Sequence, residues 1–318
     1  MGDRVKRLLP ALCVLGCLAL CVRPAHATTY FVTVAGLGGE PDYEQRFAAM
    51  ANDLDKLLKG SGGEPHVYTL TGNASTRAHL TEIMGMVAHD AKPEDDFVLF
   101  LIGHGTYDGM EYKFNLPGPD ISAADLAALC DRVPAKRQLI VNATSASGGS
   151  VPAFEKPGRA VITATKSGTE KNATVFARYW VEAFRDSATD VDKSDSISAL
   201  EAFQYADRKT TAFYEEQKRL ATEHPQFEDT GKNAPVRATA ADSDEGRLLA
   251  SFTLERLGAA QRAAADPAKR ALLDKKEQLE QTIDKLKYEK AAMDDTDYKK
   301  QLTAALLELA RVQTELDK

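Results

Sequence analysis

Two stretches decide the fold: Asp95-Asp96-Phe97-Val98-Leu99-Phe100-Leu101-Ile102-Gly103-His104-Gly105 and Gln138-Leu139-Ile140-Val141-Asn142-Ala143-Thr144-Ser145-Ala146-Ser147-Gly148-Gly149. Each is an apolar run of strand length that ends in a glycine-bearing turn. Uninterrupted apolar runs suit parallel strands buried on both faces. Between them, Ile121 to Cys130 carries Leu126, Leu129 and Cys130 on one side and reads as a crossover helix. Strand, crossover helix and strand make a parallel unit. His104 and Ser145 then fall at the carboxyl ends of two parallel strands, where open α/β sheets carry their sites. The glycines beside them let backbone approach a ligand closely.

Working outward, Thr29 to Ala35 predicts another strand, and Gly36 to Gly39 a loop. That loop lacks both the dinucleotide fingerprint and a following Gly-Lys-Ser/Thr, so it reads as a turn and not as a phosphate cradle. Phe47, Met50, Leu54, Leu57 and Leu58 give helical spacing from Tyr43 to Leu58. His66 to Leu70 predicts a short strand, and Ser75-Thr76 caps a helix that runs to His89. Beyond Ser145, Arg159 to Thr165 reads as a strand and Asn172 to Arg185 as an amphipathic helix. The aromatic face of that helix, Phe176, Tyr179, Trp180 and Phe184, is assigned to the core. Ser198 to Thr222 predicts a long helix. Residues 223–246, with His224-Pro225-Gln226, read as polar and turn-rich. The expectation is an α/β three-layer sandwich with a mostly parallel sheet.

In order along the chain, Asp95-Asp96, the apolar run with Gly103-His104-Gly105, and the second run with Ser147-Gly148-Gly149 resemble the legumain/caspase-like group of cysteine peptidases, in particular bacterial members. Val161 to Thr165 and Ser196 to Phe203 are also similar, and the resemblance spans Thr28 to Leu257. It implies a caspase-like domain in which His104 is the acid/base. Gly105 N–H and the nucleophile's own amide would hold an oxyanion. The family cysteine falls on Ser145. A cysteine thiol in water ionises near pH ~8.5, so a nearby imidazole readily yields a thiolate. A hydroxyl is far less acidic and needs an oriented base, normally with a carboxylate behind it. The motif assigns no such carboxylate, and nothing fixes Asp108 there. The expectation is therefore a degenerate peptidase homologue that binds peptide or protein without thiol cleavage. An active Ser145–His104 hydrolase and a scaffold presenting the tail are the alternatives. The resemblance draws the substrate pocket from the segment after Thr165, here Lys166, Ser167 and Glu170, whose mixed charge names no substrate residue.

Residues 1–27 read as a signal peptide: Arg4, Lys6 and Arg7, an apolar run from Leu8 to Val22, then Ala25-His26-Ala27. Cleavage before Thr28 would export the protein to the periplasm or outside the cell, with no membrane attachment afterwards. The leader carries a net +3, so the chain's −7 becomes −10 in the mature protein. That acidity argues against nucleic acid as partner. Cys130 is the one cysteine left after cleavage, so no internal disulfide forms. Its place beside Leu126 and Leu129 assigns it to the core.

Two further features complete the expectations. Asp190, Asp192, Ser194, Ser196, Ser198 and Glu201 occupy positions one, three, five, seven, nine and twelve of a calcium loop, with Asp195 where glycine is usual. The competing reading is an acidic turn that caps the helix starting near Ser198. No other cofactor is implied. In the tail, residues 258–318, Tyr298, Leu302, Ala305, Leu309, Val312 and Leu316 form a heptad seam. Leu272, Leu279, Ile283, Leu286 and Met293 form a looser stripe. An antiparallel helical hairpin within the chain and a coiled coil between chains both satisfy that pattern.

Overall fold

Side chains along a strand alternate between faces, so a strand apolar at every position needs cover on both. The computed structural model describes residues 27–240, 243–290 and 293–318. The expected leader, 1–27, lies outside them except for Ala27. In chain order the elements are β1 (Thr29–Ala35), α1 (Pro41–Gly60), β2 (His66–Leu70), α2 (Arg77–Asp90), β3 (Asp96–Ile102), β4 (Gly105–Tyr107), β5 (Tyr112–Phe114), β6 (Ile121–Ser122), α3 (Ala123–Asp131), β7 (Arg137–Asn142), α4 (Val151–Phe154), β8 (Arg159–Thr163), α5 (Phe176–Ala183), β9 (Ser196–Ser198), α6 (Ala199–Glu216), β10 (Gln226–Glu228), α7 (Arg247–Ala250), β11 (Thr253–Arg256), α8 (Gly258–Ala265), α9 (Pro267–Glu289) and α10 (Asp295–Leu316).

The central sheet has the order β2-β1-β3-β7-β8-β10. Its first five strands are parallel, and β10 closes the edge antiparallel to β8. Val98, Phe100 and Ile102 of β3 face a core built with α1, α5 and α6, centred on Trp180, Phe176 and Phe203. Phe97, Leu99 and Leu101 face the opposite core, built with α2, α3 and α4. This is the expected three-layer α/β architecture. Cys130 lies in the second core, where burial pushes its thiol up to about 12. Local signals set the helix starts. Ser122 caps α3 through the Asp125 amide, and Ser198 with Glu201 forms a reciprocal capping box on α6.

The structure corrects the expected elements at several points. Ile121-Ser122 belongs to β6, the third strand of a small antiparallel sheet β4-β5-β6, so the crossover helix starts at Ala123. The helix expected from Asn172 starts at Phe176, and the helix expected to reach Thr222 ends at Glu216. Within the polar segment 223–246, Gln226–Glu228 is β10, because β8 offers a free edge for pairing.

In the tail, α9 and α10 lie antiparallel: Lys269 Nζ near the start of α9 donates to the Leu316 carbonyl at the end of α10 (2.7 Å). Tyr298, Ala305 and Val312 of the seam are buried, as are Ile283 and Leu286 of α9. Leu273, not Leu272, is the buried residue at the start of α9, packed on Ala260, Ala263 and Ala264. The hairpin is tied to the sheet domain by a two-pronged Arg256–Glu277 pair (2.8 and 3.0 Å) and by Lys276 Nζ donating to the Ser194 carbonyl (2.9 Å). Among the described residues no helix is long and apolar enough to cross a membrane.

Candidate functional site

Strand pairing brings the two decisive turns together. Leu101 sits opposite Asn142, and the Ala143 amide donates to the Leu101 carbonyl, so the chain leaves β3 and β7 side by side. Ser145 is buried, at 2% exposure. Its Oγ accepts the Gly105 amide (3.1 Å), and its hydroxyl donates to the Gly105 carbonyl (3.0 Å). The serine is thus clamped on both sides by one residue's backbone. The amide assigned to an oxyanion is the one that holds the hydroxyl.

His104 turns the other way. Its ring lies edge-on to Tyr43 and Phe47 of α1, with centroids 4.8 and 5.1 Å away. A hydrogen bond ties it to the Gly38 backbone. Burial holds its pKa below the ordinary value of 6.5, against the opposing pull of that bond and of Glu40 and Glu44. No hydrogen bond joins His104 to Ser145. Asp108 is also turned away, its Oδ1 accepting the Met110 and Glu111 amides of its own turn (both 2.8 Å).

The loops after β7 and β8 are sewn together by hydroxyls. Ser147 Oγ accepts the Thr165 amide (3.1 Å), and Thr165 Oγ1 accepts the Gly148 amide (2.9 Å). Behind them Tyr112 Oη contacts Asn142 Oδ1 (3.2 Å) and Thr144 Oγ1 (2.6 Å). These groups satisfy one another in a buried cluster, as buried polar atoms require. Over the cluster lies the Tyr107 ring, packed against Gly149 and Gly168.

Lys166, Ser167 and Glu170, expected to line a substrate pocket, form the rim of this cluster. Lys166 is exposed, and the Glu170 carbonyl accepts the Ala146 amide (2.7 Å). The Glu170 carboxylate accepts the Lys166 amide (2.9 Å), the His224 amide (3.2 Å) and His224 Nδ1. Sequence reasoning did not reach the Glu170–His224 pair, whose members are 54 residues apart. No local signal announced it, because His224 flanks β10, a strand that the sequence did not reveal. Beside the pair, burial pushes the Glu223 carboxyl up to about 7.

The acidic loop is a separate constellation. Carboxylate oxygens of Asp190, Asp192 and Glu201 lie within 4.8 Å of one another. Asp195 adopts a left-handed φ of 64°, the conformation that the sixth position of a calcium loop needs. The other predicted ligands are occupied differently. Ser194 and Ser196 hydroxyls bond each other (3.0 Å), and Glu201 takes amides of Val191 and Ser198. Lys193 Nζ reaches the Asp190 carbonyl (2.6 Å).

No family model matches the chain, and no curated protein matches it. Solved structures similar to it include the Drosophila initiator caspase Dronc, at 12% identity and a TM-score of 0.42 over 64% of this chain and 80% of that one. Caspase-1 from Spodoptera frugiperda is similar at 11% identity and a TM-score of 0.43, over 64% of this chain and 87% of that one.

Proposed function

We propose that the protein is an exported, peptidase-like homologue that binds peptide or protein at the ends of β3, β7 and β8 and does not cleave it. The observation that carries this reading is the closure of Ser145 Oγ on both backbone groups of Gly105. A nucleophile needs a base on its proton and a lone pair aimed outward. Here the proton goes to a carbonyl, and the imidazole at the base position is held under Tyr43 and Phe47. The exposed rim supports binding: Lys166 and Thr169 are exposed on the loop whose Gly168 packs against Tyr107, and Met110 at the β4–β5 turn is 92% exposed.

A peptide library read by fluorescence anisotropy and by mass spectrometry tests the reading. Saturable binding without product is expected, with binding weakened in Tyr107→Ala and Lys166→Glu. Robust wild-type hydrolysis that disappears in both His104→Ala and Ser145→Ala would establish the active hydrolase instead. One observation favours the scaffold reading: Leu306 and Leu307 remain exposed on α10. Retained peptide binding in Leu307→Glu with loss of a cellular phenotype would select it.

A further inference from the structure

We propose that Asp95 is the receptor for the amino group created when the leader is cut after Ala27; this inference rests on the export reading. Asp95 is a carboxylate with 3% exposure at the entry to β3. Its Oδ1 accepts the Thr28 amide at 2.9 Å, and its Oδ2 accepts the Lys92 amide at 2.8 Å. Among the described residues no lysine, arginine or histidine forms an ion pair with it. Its neighbour Asp96 is different, since it holds the Arg137 guanidinium through Nε at 2.7 Å. A buried carboxylate that lacks a counter-charge is costly, because two backbone amides replace only part of the lost solvation and no cation replaces the rest. The field of Asp95 is felt nearby: the Tyr30 phenol is raised, first by burial and then by the Asp95 and Asp90 charges.

The missing cation is one hydrolysis away. Water adds across the Ala27–Thr28 peptide bond in the reaction of an export signal peptidase. The water oxygen joins the Ala27 carbonyl carbon, and Ala27 leaves as a carboxylate. The Thr28 nitrogen is released as an amine and takes up a proton. The same nitrogen that now donates to Asp95 as an amide thus becomes an ammonium. Its position is fixed by the sheet, because the Asp96 amide donates to the Thr28 carbonyl (3.0 Å) as β1 and β3 pair. Ala27 is exposed, so the remaining ammonium hydrogens face water. Charge-assisted hydrogen bonds are about twice as strong as neutral ones. The precursor therefore folds with an unpaired buried carboxylate and the mature chain with a paired one. Processing stabilises the domain, and the unprocessed chain stays easier to unfold for export.

The test is a set of thermal melts at pH 6.5, on the full chain and on the chain cut before Thr28, each as wild type and as Asp95→Asn. Cutting is expected to raise the wild-type Tm by roughly 3–8 °C and to leave the Asp95→Asn Tm unchanged. An N-acetylated chain beginning at Thr28 retains Asp95 and is expected to melt like the precursor, which covers poor folding of the Asn variant. Equal shifts in both backgrounds, or identical melting of free and acetylated chains, would overturn the proposal. Sequencing the amino terminus of the exported protein tests the export reading separately. A start other than Thr28 would overturn the cleavage, and the melts report the pairing regardless.

Discussion

Placing a sulfur at the candidate position, Ser145→Cys, is the perturbation that bears most directly on the candidate site, and it is expected to yield a less stable protein without turnover. The substitution removes the Ser145 hydroxyl bond to the Gly105 carbonyl and weakens the Gly105 amide bond, because sulfur is a poor donor and acceptor. Those two losses are worth about 0.5–1.5 kcal/mol each. The larger sulfur must also fit at a buried position, since Ser145 is 2% exposed and its Oγ lies 3.1 and 3.0 Å from the Gly105 amide and carbonyl. Overpacking of that kind costs about 1–3 kcal/mol. The sum is roughly 2–6 kcal/mol, or, at about 2–3 °C per kcal/mol for a chain of this size, a fall in Tm of roughly 4–18 °C. A thiol buried at that position has its pKa raised by desolvation, and the His104 ring packs on Tyr43 and Phe47 with no hydrogen bond to residue 145. Iodoacetamide labelling followed by mass spectrometry has a built-in reference in buried Cys130. Position 145 is expected to react no faster than Cys130 in the folded protein, and the peptide library to remain uncut. Rapid alkylation at 145 together with peptide cleavage that alkylation blocks would refute the reasoning. It would mean that the Gly105 clamp opens and His104 swings across.

Glu255 is 5% exposed, and burial pushes its carboxyl from 4.5 to about 8. Its contribution is complete below pH 4.5 and lost as pH rises through 8, a fall of roughly 3–5 kcal/mol that urea unfolding should show in wild type and not in Glu255→Gln. His104 has the opposite sign. Its lowered pKa gives stability that is present above pH 6.5 and lost on acidification, so His104→Phe is expected to flatten the acid side of the Tm profile. Calcium at millimolar concentration is expected to give no calorimetric heat, because amides and lysines already occupy the loop; a saturable signal lost in Glu201→Gln would establish the calcium reading. The full chain is expected to sediment as a monomer, since the seam at Tyr298, Ala305 and Val312 is buried within its own hairpin; a dimer would refute this.

The legible parts of the fold were those with a local cause. β3 and β7 announced themselves by uninterrupted apolar runs, α6 by the acidic turn that caps its start near Ser198, and α10 by its heptad steps. β10 was hidden because its three residues carry one apolar side chain, Phe227, and its pairing is dictated by the free edge of β8. The hairpin β4–β5 was hidden for a similar reason, being two three-residue strands around a turn closed by Asp108. That the turns carrying His104 and Ser145 meet at one end of the sheet was readable from the glycines at the strand ends. The aim of their side chains was not. His104 is positioned by Tyr43 and Phe47, residues far away in sequence, and Glu170 finds His224 across the same kind of gap.

The glycines of the two turns have a role that does not involve catalysis. A Cβ on Gly105 would strike the Tyr112 ring and the Ser145 carbonyl. One on Gly148 would lie 2.6 Å from the Thr165 carbonyl oxygen and nearer still to the Ser167 amide. One on Gly168 would enter the Tyr107 ring. The obstacles at Gly105 and Gly148 include backbone, so no side-chain rotation relieves them. The three loops can close over the sheet end only with glycine at these positions, whether or not Ser145 ever attacks a carbonyl. The Ser147–Thr165 hydroxyl pair then locks the closed loops. Gly105 and Gly148 of the two turns are therefore explained by the packing at this sheet end alone. Chemistry would add two further conditions, an unclamped nucleophile and an imidazole turned toward it; in this structure the Ser145 hydroxyl is held by Gly105 and the His104 ring packs on Tyr43 and Phe47.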